Sequence, residues 1–175
     1  MQRPLASNRL ALEPQAAPHA DEMFAVLSDP AIYEYENEPP ASLEWLRERF
    51  GRLESRRSND GQQQWLNWVV RLRGAEPVGY VQATVFPSGV ALVAYVLASR
   101  YWGRGLAREA CEAMLAELAG RYGVGRACAV FKRANTRSLH LLERLGFAPA
   151  EPKSYAECEV GSDELLMTRE IGARA

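Results

Sequence analysis

At 175 residues, with 47% hydrophobic and 25% charged residues, the chain has the makeup of a packed soluble domain and not of a disordered or fibrous one. Its 21 basic and 22 acidic residues nearly cancel, so no strong field exists to hold nucleic acid or an anionic membrane by charge alone. Three scattered cysteines, with no C-x-x-C pair and no histidine set at ligand spacing, point to reduced thiols and no metal.

In chain order, residues 9–13 (RLALE) alternate polar and apolar as a first strand would, and Pro14 and Pro18 then break the pattern. Met23, Phe24, Val26 and Leu27 share one side of a helix that starts near Pro18 and stops at Asp29-Pro30. Residues 33–40 (YEYENEPP) form an acidic, proline-closed connector, after which Ser42 is placed to cap a second helix carrying Leu43, Leu46, Phe50 and Leu53. Strand-like runs at 65–72, 78–86 and 90–98, separated by short Gly/Pro turns, suit an antiparallel meander. The third is apolar on both faces, as a central strand covered on both sides must be.

A helix opens at Arg104 or Gly105 and ends by Gly123, and residues 127–131 read as another buried strand. Asn135 starts a helix with Leu139, Leu142 and Leu145 inside and Gly146 as a left-handed cap. The tail, 154–171, offers two more strand candidates, ending in 164–171. The order predicts a mixed α/β fold with a largely antiparallel central sheet flanked by helices, in one domain over residues 1–175.

The stretch Arg100-Tyr101-Trp102-Gly103-Arg104-Gly105-Leu106-Ala107 places two glycines between the buried strand and its helix. Backbone amides there approach a ligand unobstructed, and the positive end of the helix dipole suits a diphosphate, with Arg100 or Arg104 adding charge-assisted bonds. A G-x-G serves equally as a plain tight turn. The spacing matches neither the dinucleotide fingerprint nor the nucleoside triphosphate loop, and a meander precedes it instead of βαβ units.

In this turn the sequence resembles the GNAT superfamily of N-acetyltransferases, whose acetyl-CoA signature [QR]-x-x-G-x-[GA] is met by Arg100, Gly103 and Gly105. YWGRGLAREA (101–110), NTRSLHLLERLGF (135–147) and the opening RLALEP are similar to the ribosomal-protein-alanine acetyltransferase-like branch. The resemblance covers about residues 9–171. It implies the GNAT-like acyl-CoA N-acyltransferase fold and acetyl-CoA as co-substrate. In that fold the strands 90–98 and 127–131 splay, so that Val96, Leu97 and Ala98 would pair with pantetheine amides. It further implies that Trp102 belongs to the cofactor turn, that Asn135 hydrogen-bonds the pantetheine arm and that Ser138 faces the cofactor near its sulfur.

Two family features are missing. The tyrosine that often protonates the thiolate falls on Leu142, and the glutamate that orders the base water falls on Leu92. Ser138 stands in as acid, while Glu36, Glu38, Tyr33, Tyr35, Tyr155 and Glu157 are the candidates for the base, Glu36 and Tyr155 foremost. His140 has no partner for a metal and reads as a surface or packed residue. The acceptor expected from the resemblance is a protein N-terminal or small-molecule amine. An aminoglycoside or polyamine acetyltransferase and a non-catalytic CoA-binding module are the rival readings. With no apolar stretch of signal or membrane-spanning length, the chain is expected in the cytoplasm, as a monomer or homodimer.

Overall fold

The computed structural model describes residues 2–35 and 37–172. Among the described residues eight strands form one sheet: β1 (Leu5–Ala6), β2 (Leu10–Pro14), β3 (Gln64–Leu72), β4 (Pro77–Val85), β5 (Val90–Leu97), β6 (Arg126–Lys132), β7 (Ala148–Pro149) and β8 (Glu164–Glu170), in the order β1-β2-β3-β4-β5-β6-β8-β7. Every neighbouring pair is antiparallel except β5 with β6. The helices are α1 (Ala20–Leu27), α2 (Leu43–Leu53), α3 (Leu106–Tyr122) and α4 (Thr136–Arg144). The mixed, largely antiparallel α/β architecture is the one the sequence predicts.

Local chemistry sets the boundaries. The Ser42 hydroxyl accepts from the Trp45 amide at 3.1 Å and starts α2, and Asn135 Oδ1 accepts from the Ser138 amide at 3.1 Å and starts α4. Gly146, at φ 78°, ends α4, with the Phe147 amide reaching back to the Leu142 carbonyl. Packing follows the strand alternation. Val93 and Tyr95 of β5 face α3 and α4 with Met114, Leu142 and Phe147, while Val90 and Leu92 face the other way, onto Cys128, Leu166 and the tail segment around Cys158. Strand β5 is thus covered on both faces, fifth in a sheet of eight.

Two expectations change. The tail contains one strand, β8, where two were expected; its predecessor is the two-residue β7, outside the tail, and between them lie a 3-10 turn at Pro152–Ser154 and an irregular stretch. Pro149 and Pro152 carry no amide hydrogen to extend a ladder, and Tyr155 and Cys158 instead cover the sheet. The two-residue β1, unanticipated in the sequence, pairs with β2 at the sheet edge.

The feature that positions the site is a parting of strands. Parallel pairing of β5 with β6 holds only where Val90, Ala91 and Leu92 meet Arg126, Ala127 and Cys128. Beyond Leu92, β5 follows β4 as far as Leu97, and β6 follows β8 as far as Lys132. A wedge opens between them, with the start of α3 and of α4 at its wide end.

Candidate active site

At the end of β5 the chain makes a 3-10 turn over Ser99–Tyr101, passes through Trp102 and Gly103, and enters α3 from Gly105. Gly103 and Gly105 have φ of 73° and 74°, a left-handed conformation that glycine adopts without penalty. The amides of residues 103 to 108 make no backbone hydrogen bond among the described residues; the Glu109 amide is the first to close a helical turn, on the Gly105 carbonyl at 3.1 Å. A run of free N–H groups at the positive end of a helix of 17 residues is an anion cradle.

The cradle opens into a cavity of about 540 Å³, within the range of small-molecule sites. Val96 and Leu97 of β5, Gly103 to Ala107 without Arg104, and Asn135 and Ser138 at the start of α4 all contribute to its wall. Ala98 does not. Its amide donates to the Val78 carbonyl at 2.9 Å, toward β4, so alternation turns the Leu97 main chain toward the wedge, where Trp102 Nε1 donates to the Leu97 carbonyl at 2.8 Å.

The cations differ from those picked out in the sequence. Arg100 and Arg104 both lie over the Tyr101 ring, at 4.8 and 5.6 Å, and neither lines the cavity. Arg108, Arg137 and Arg144 do, together with His140, and among the described residues the wall carries no carboxylate. Arg137 lies 4.2 Å from the Trp102 ring centre and 5.6 Å from that of Tyr35, and donates to Glu34 at 2.6 Å. That assembly draws the acidic connector across to α4. Sequence spacing held one clue: positions 137, 140, 141 and 144 lie on one helical stripe beginning just after the Asn135 cap.

Among the described residues, those with hydroxyls that line the cavity are Ser138, Tyr35, Tyr95 and Tyr101, and the Tyr101 hydroxyl is taken by Glu76. The Tyr95 oxygen is 3.5 Å from the Ser138 carbonyl, and burial raises its pKa above the ordinary phenol value, so it stays protonated. Leu142, at the family's tyrosine position, is buried in the core beside Tyr95. Tyr155 is not brought to this cavity; it stacks beneath Arg126 at 5.3 Å, at the far end of the β5–β6 pair. Glu36 lies outside the described residues. Tyr33 donates to the Leu27 carbonyl at 2.7 Å, and burial pushes its pKa up to about 12, so it is a structural phenol and no base. Glu157 is drawn to Ser88, away from the cavity.

Asp29 fastens the connector to the site. Its carboxylate accepts from the Ser99 amide at 2.7 Å and the Ala31 amide at 3.0 Å, and the bonds from Ser99 lead in holding its pKa below the ordinary value. Its stabilising contribution is full above the unfolded-state pKa near 3.8 and is lost as pH falls through the lower folded value. Asp29→Ala is expected to cost about 1 kcal/mol, as loss of a capping carboxylate does. Urea unfolding at neutral pH measures that difference, which should shrink toward zero when repeated in acid.

The sequence matches the acetyltransferase (GNAT) domain family over residues 9–148. The chain belongs to the GNAT acetyltransferase family. This GNAT chain is therefore an acetyl-CoA-dependent N-acetyltransferase by class. No protein of curated function matches its sequence. Many solved structures share the fold. The ribosomal-protein-S5-alanine acetyltransferase of Vibrio fischeri superposes with a TM-score of 0.77 at 17% identity, covering 97% of both chains. RimL, a ribosomal L7/L12 alpha-N-protein acetyltransferase in complex with coenzyme A, gives 0.77 at 16% identity over 94% of this chain and 96% of its own. MccE, the microcin C7 self-immunity acetyltransferase in complex with acetyl-CoA and AMP, gives 0.77 at 15% identity over 94% of each chain. At these identities the likeness is one of fold.

Proposed function

We propose that this GNAT domain moves an acetyl group from acetyl-CoA directly to a primary amine, a protein N-terminal amine or a small-molecule amine, with both substrates bound together in the wedge. The observation that carries the reading is the run of free amides from Gly103 to Arg108, opening into a cavity beside the edge of β5 that β6 leaves after Leu92. A diphosphate needs many N–H donors, and the cradle supplies them. The Leu97 main chain, turned toward the wedge, suits the amides of a pantetheine arm added as an extra strand. Fold neighbours in complex with coenzyme A and acetyl-CoA support the same co-substrate.

Bound acetyl-CoA supplies a thioester open to attack by an amine. The protein's part is to hold that group, to exclude water with the apolar wall from Ile32 to Leu141, and to provide a proton for the departing sulfur. Ser138, in the first turn of α4, is assigned the delivery of that proton, its hydroxyl taking one back from solvent as it gives it, with the Tyr95 phenol one hydrogen-bond length away from its carbonyl. The acceptor enters beside the connector, where Tyr35 lines the cavity. Its proton leaves to solvent through the open mouth; of the three glutamates in that connector's sequence, Glu34 is taken by Arg137, and Glu36 and Glu38 are the candidates to assist.

Thiol release from acetyl-CoA, assayed with N-terminal peptides, polyamines and aminoglycosides, tests the function. Ser138→Ala should lower kcat about 10–100-fold with the KM for acetyl-CoA unchanged within about threefold. If Tyr95→Phe carries that loss and Ser138→Ala does not, the donor is Tyr95. No thiol release with any amine, despite CoA binding, would defeat the catalytic reading.

A further inference from the structure

Arg9, the residue just before β2, has no place in the chemistry above, yet it reaches the cofactor turn. Arg9 Nη1 donates to the Arg104 carbonyl at 2.9 Å, and its Nε donates to Glu109 at 2.7 Å. Glu109, in the first turn of α3, also accepts from the Arg9 amide at 2.7 Å and the Ser7 hydroxyl at 2.7 Å. An ideal Cβ on Gly105 would find one neighbour, Arg9 Nη2 at 3.5 Å. Residues about 95 positions apart in sequence are thus fastened at the point where the turn becomes a helix.

The consequence lies in the peptide between Arg104 and Gly105. The chain has no cis peptides among the described residues, so the carbonyl of Arg104 and the N–H of Gly105 point in opposite directions. The carbonyl is drawn out to Arg9, while Gly105 lines the cavity and Arg104 does not. The N–H is therefore directed inward. Glycine at φ 74° tolerates either orientation of the preceding peptide, so the local sequence does not fix which end faces the cavity. A flipped peptide would aim a carbonyl dipole at the anion.

We infer that Arg9 is a positioning residue for the co-substrate: held by Glu109, it locks the Arg104–Gly105 peptide with its N–H toward the diphosphate and its carbonyl away. Glu109 would by itself repel an anion at this helix end, and Arg9 neutralises it. Burial pushes the Glu109 carboxyl up, but the bonds from the Arg9 amide, Ser7 and the Arg9 guanidinium outweigh burial and keep it ionised.

The inference rests on the diphosphate reading, and the test separates the two by comparing CoA with pantetheine, which lacks the diphosphate. For Arg9→Ala, CoA affinity by calorimetry should fall about tenfold, while pantetheine affinity by NMR titration stays within about twofold of wild type. Arg9→Lys, which supplies one of the two side-chain bonds, should show a smaller fall of the same kind and covers the case in which the alanine variant does not fold. Unchanged CoA affinity, or an equal loss for both ligands, overturns the positioning role. A wild-type protein that binds CoA no tighter than pantetheine overturns the diphosphate reading beneath it.

Discussion

Gly79→Ala is expected to lower the melting temperature by about 10 °C, the equivalent of roughly 3 kcal/mol in a chain of this size, and to abolish tight CoA binding. A Cβ at position 79 would lie 2.0 Å from the Val96 carbonyl oxygen, 2.8 Å from Leu97 Cα and 2.9 Å from the Val96 carbonyl carbon. All three are backbone atoms of β5, so no side chain can rotate out of the way; β4 and β5 must part. The Ala98 amide bond to the Val78 carbonyl, next to the clash, would go first. Val96 and Leu97 also form the cavity wall, so the same displacement disturbs the segment expected to meet the pantetheine arm. Differential scanning calorimetry and a CoA titration on the same sample check both halves. An unshifted melting temperature would mean that the two strands do not approach this closely.

Gly105→Val is expected to weaken CoA binding at least tenfold with the fold intact, the melting temperature falling by no more than about 5 °C. The space is there, since the nearest atom to a new Cβ is at an ordinary contact distance. The penalty comes from the backbone: φ 74° is a left-handed angle that a β-branched residue occupies only at a cost of about 1–3 kcal/mol. The turn relieves that strain by rotating out of the conformation that presents its amides. Gly105→Asn separates this cause from simple blockage, because asparagine tolerates the left-handed region. It should retain CoA affinity within about threefold, whereas an equal loss in both variants would put the cause in the side chain and not in the backbone angle.

The two glycines were unequally legible. Gly105 announces itself, lying between an apolar run and an amphipathic one, where a strand must turn into a helix. Gly79 sits inside a run that reads as ordinary strand, and its reason is a strand 17 residues on, at Val96. The cations follow the same division. Arg100 and Arg104 stand in the motif and stack on Tyr101, while Arg108, Arg137 and Arg144 reach the cavity from two helices. Charge and spacing along the chain do not say which way a long side chain folds back. Tyr95 was hidden in the same way: on a strand apolar on both faces it reads as core, and only its nearness to Ser138 makes it part of the site.

By itself the sequence determined what depends on neighbours within a turn or two: the helix caps at Ser42 and Asn135, the meander, the left-handed Gly146 and the order of the longer elements, together with the motifs that carry the family resemblance. Tertiary structure alone decided where β5 leaves β6, which arginines face the cavity, that Tyr155 lies far from it, and that Arg9 grips the cofactor turn. The first set is fixed by local backbone sterics and hydrogen bonding, which are written residue by residue. The second depends on contacts between residues tens of positions apart, whose pairing exists only once the sheet has formed.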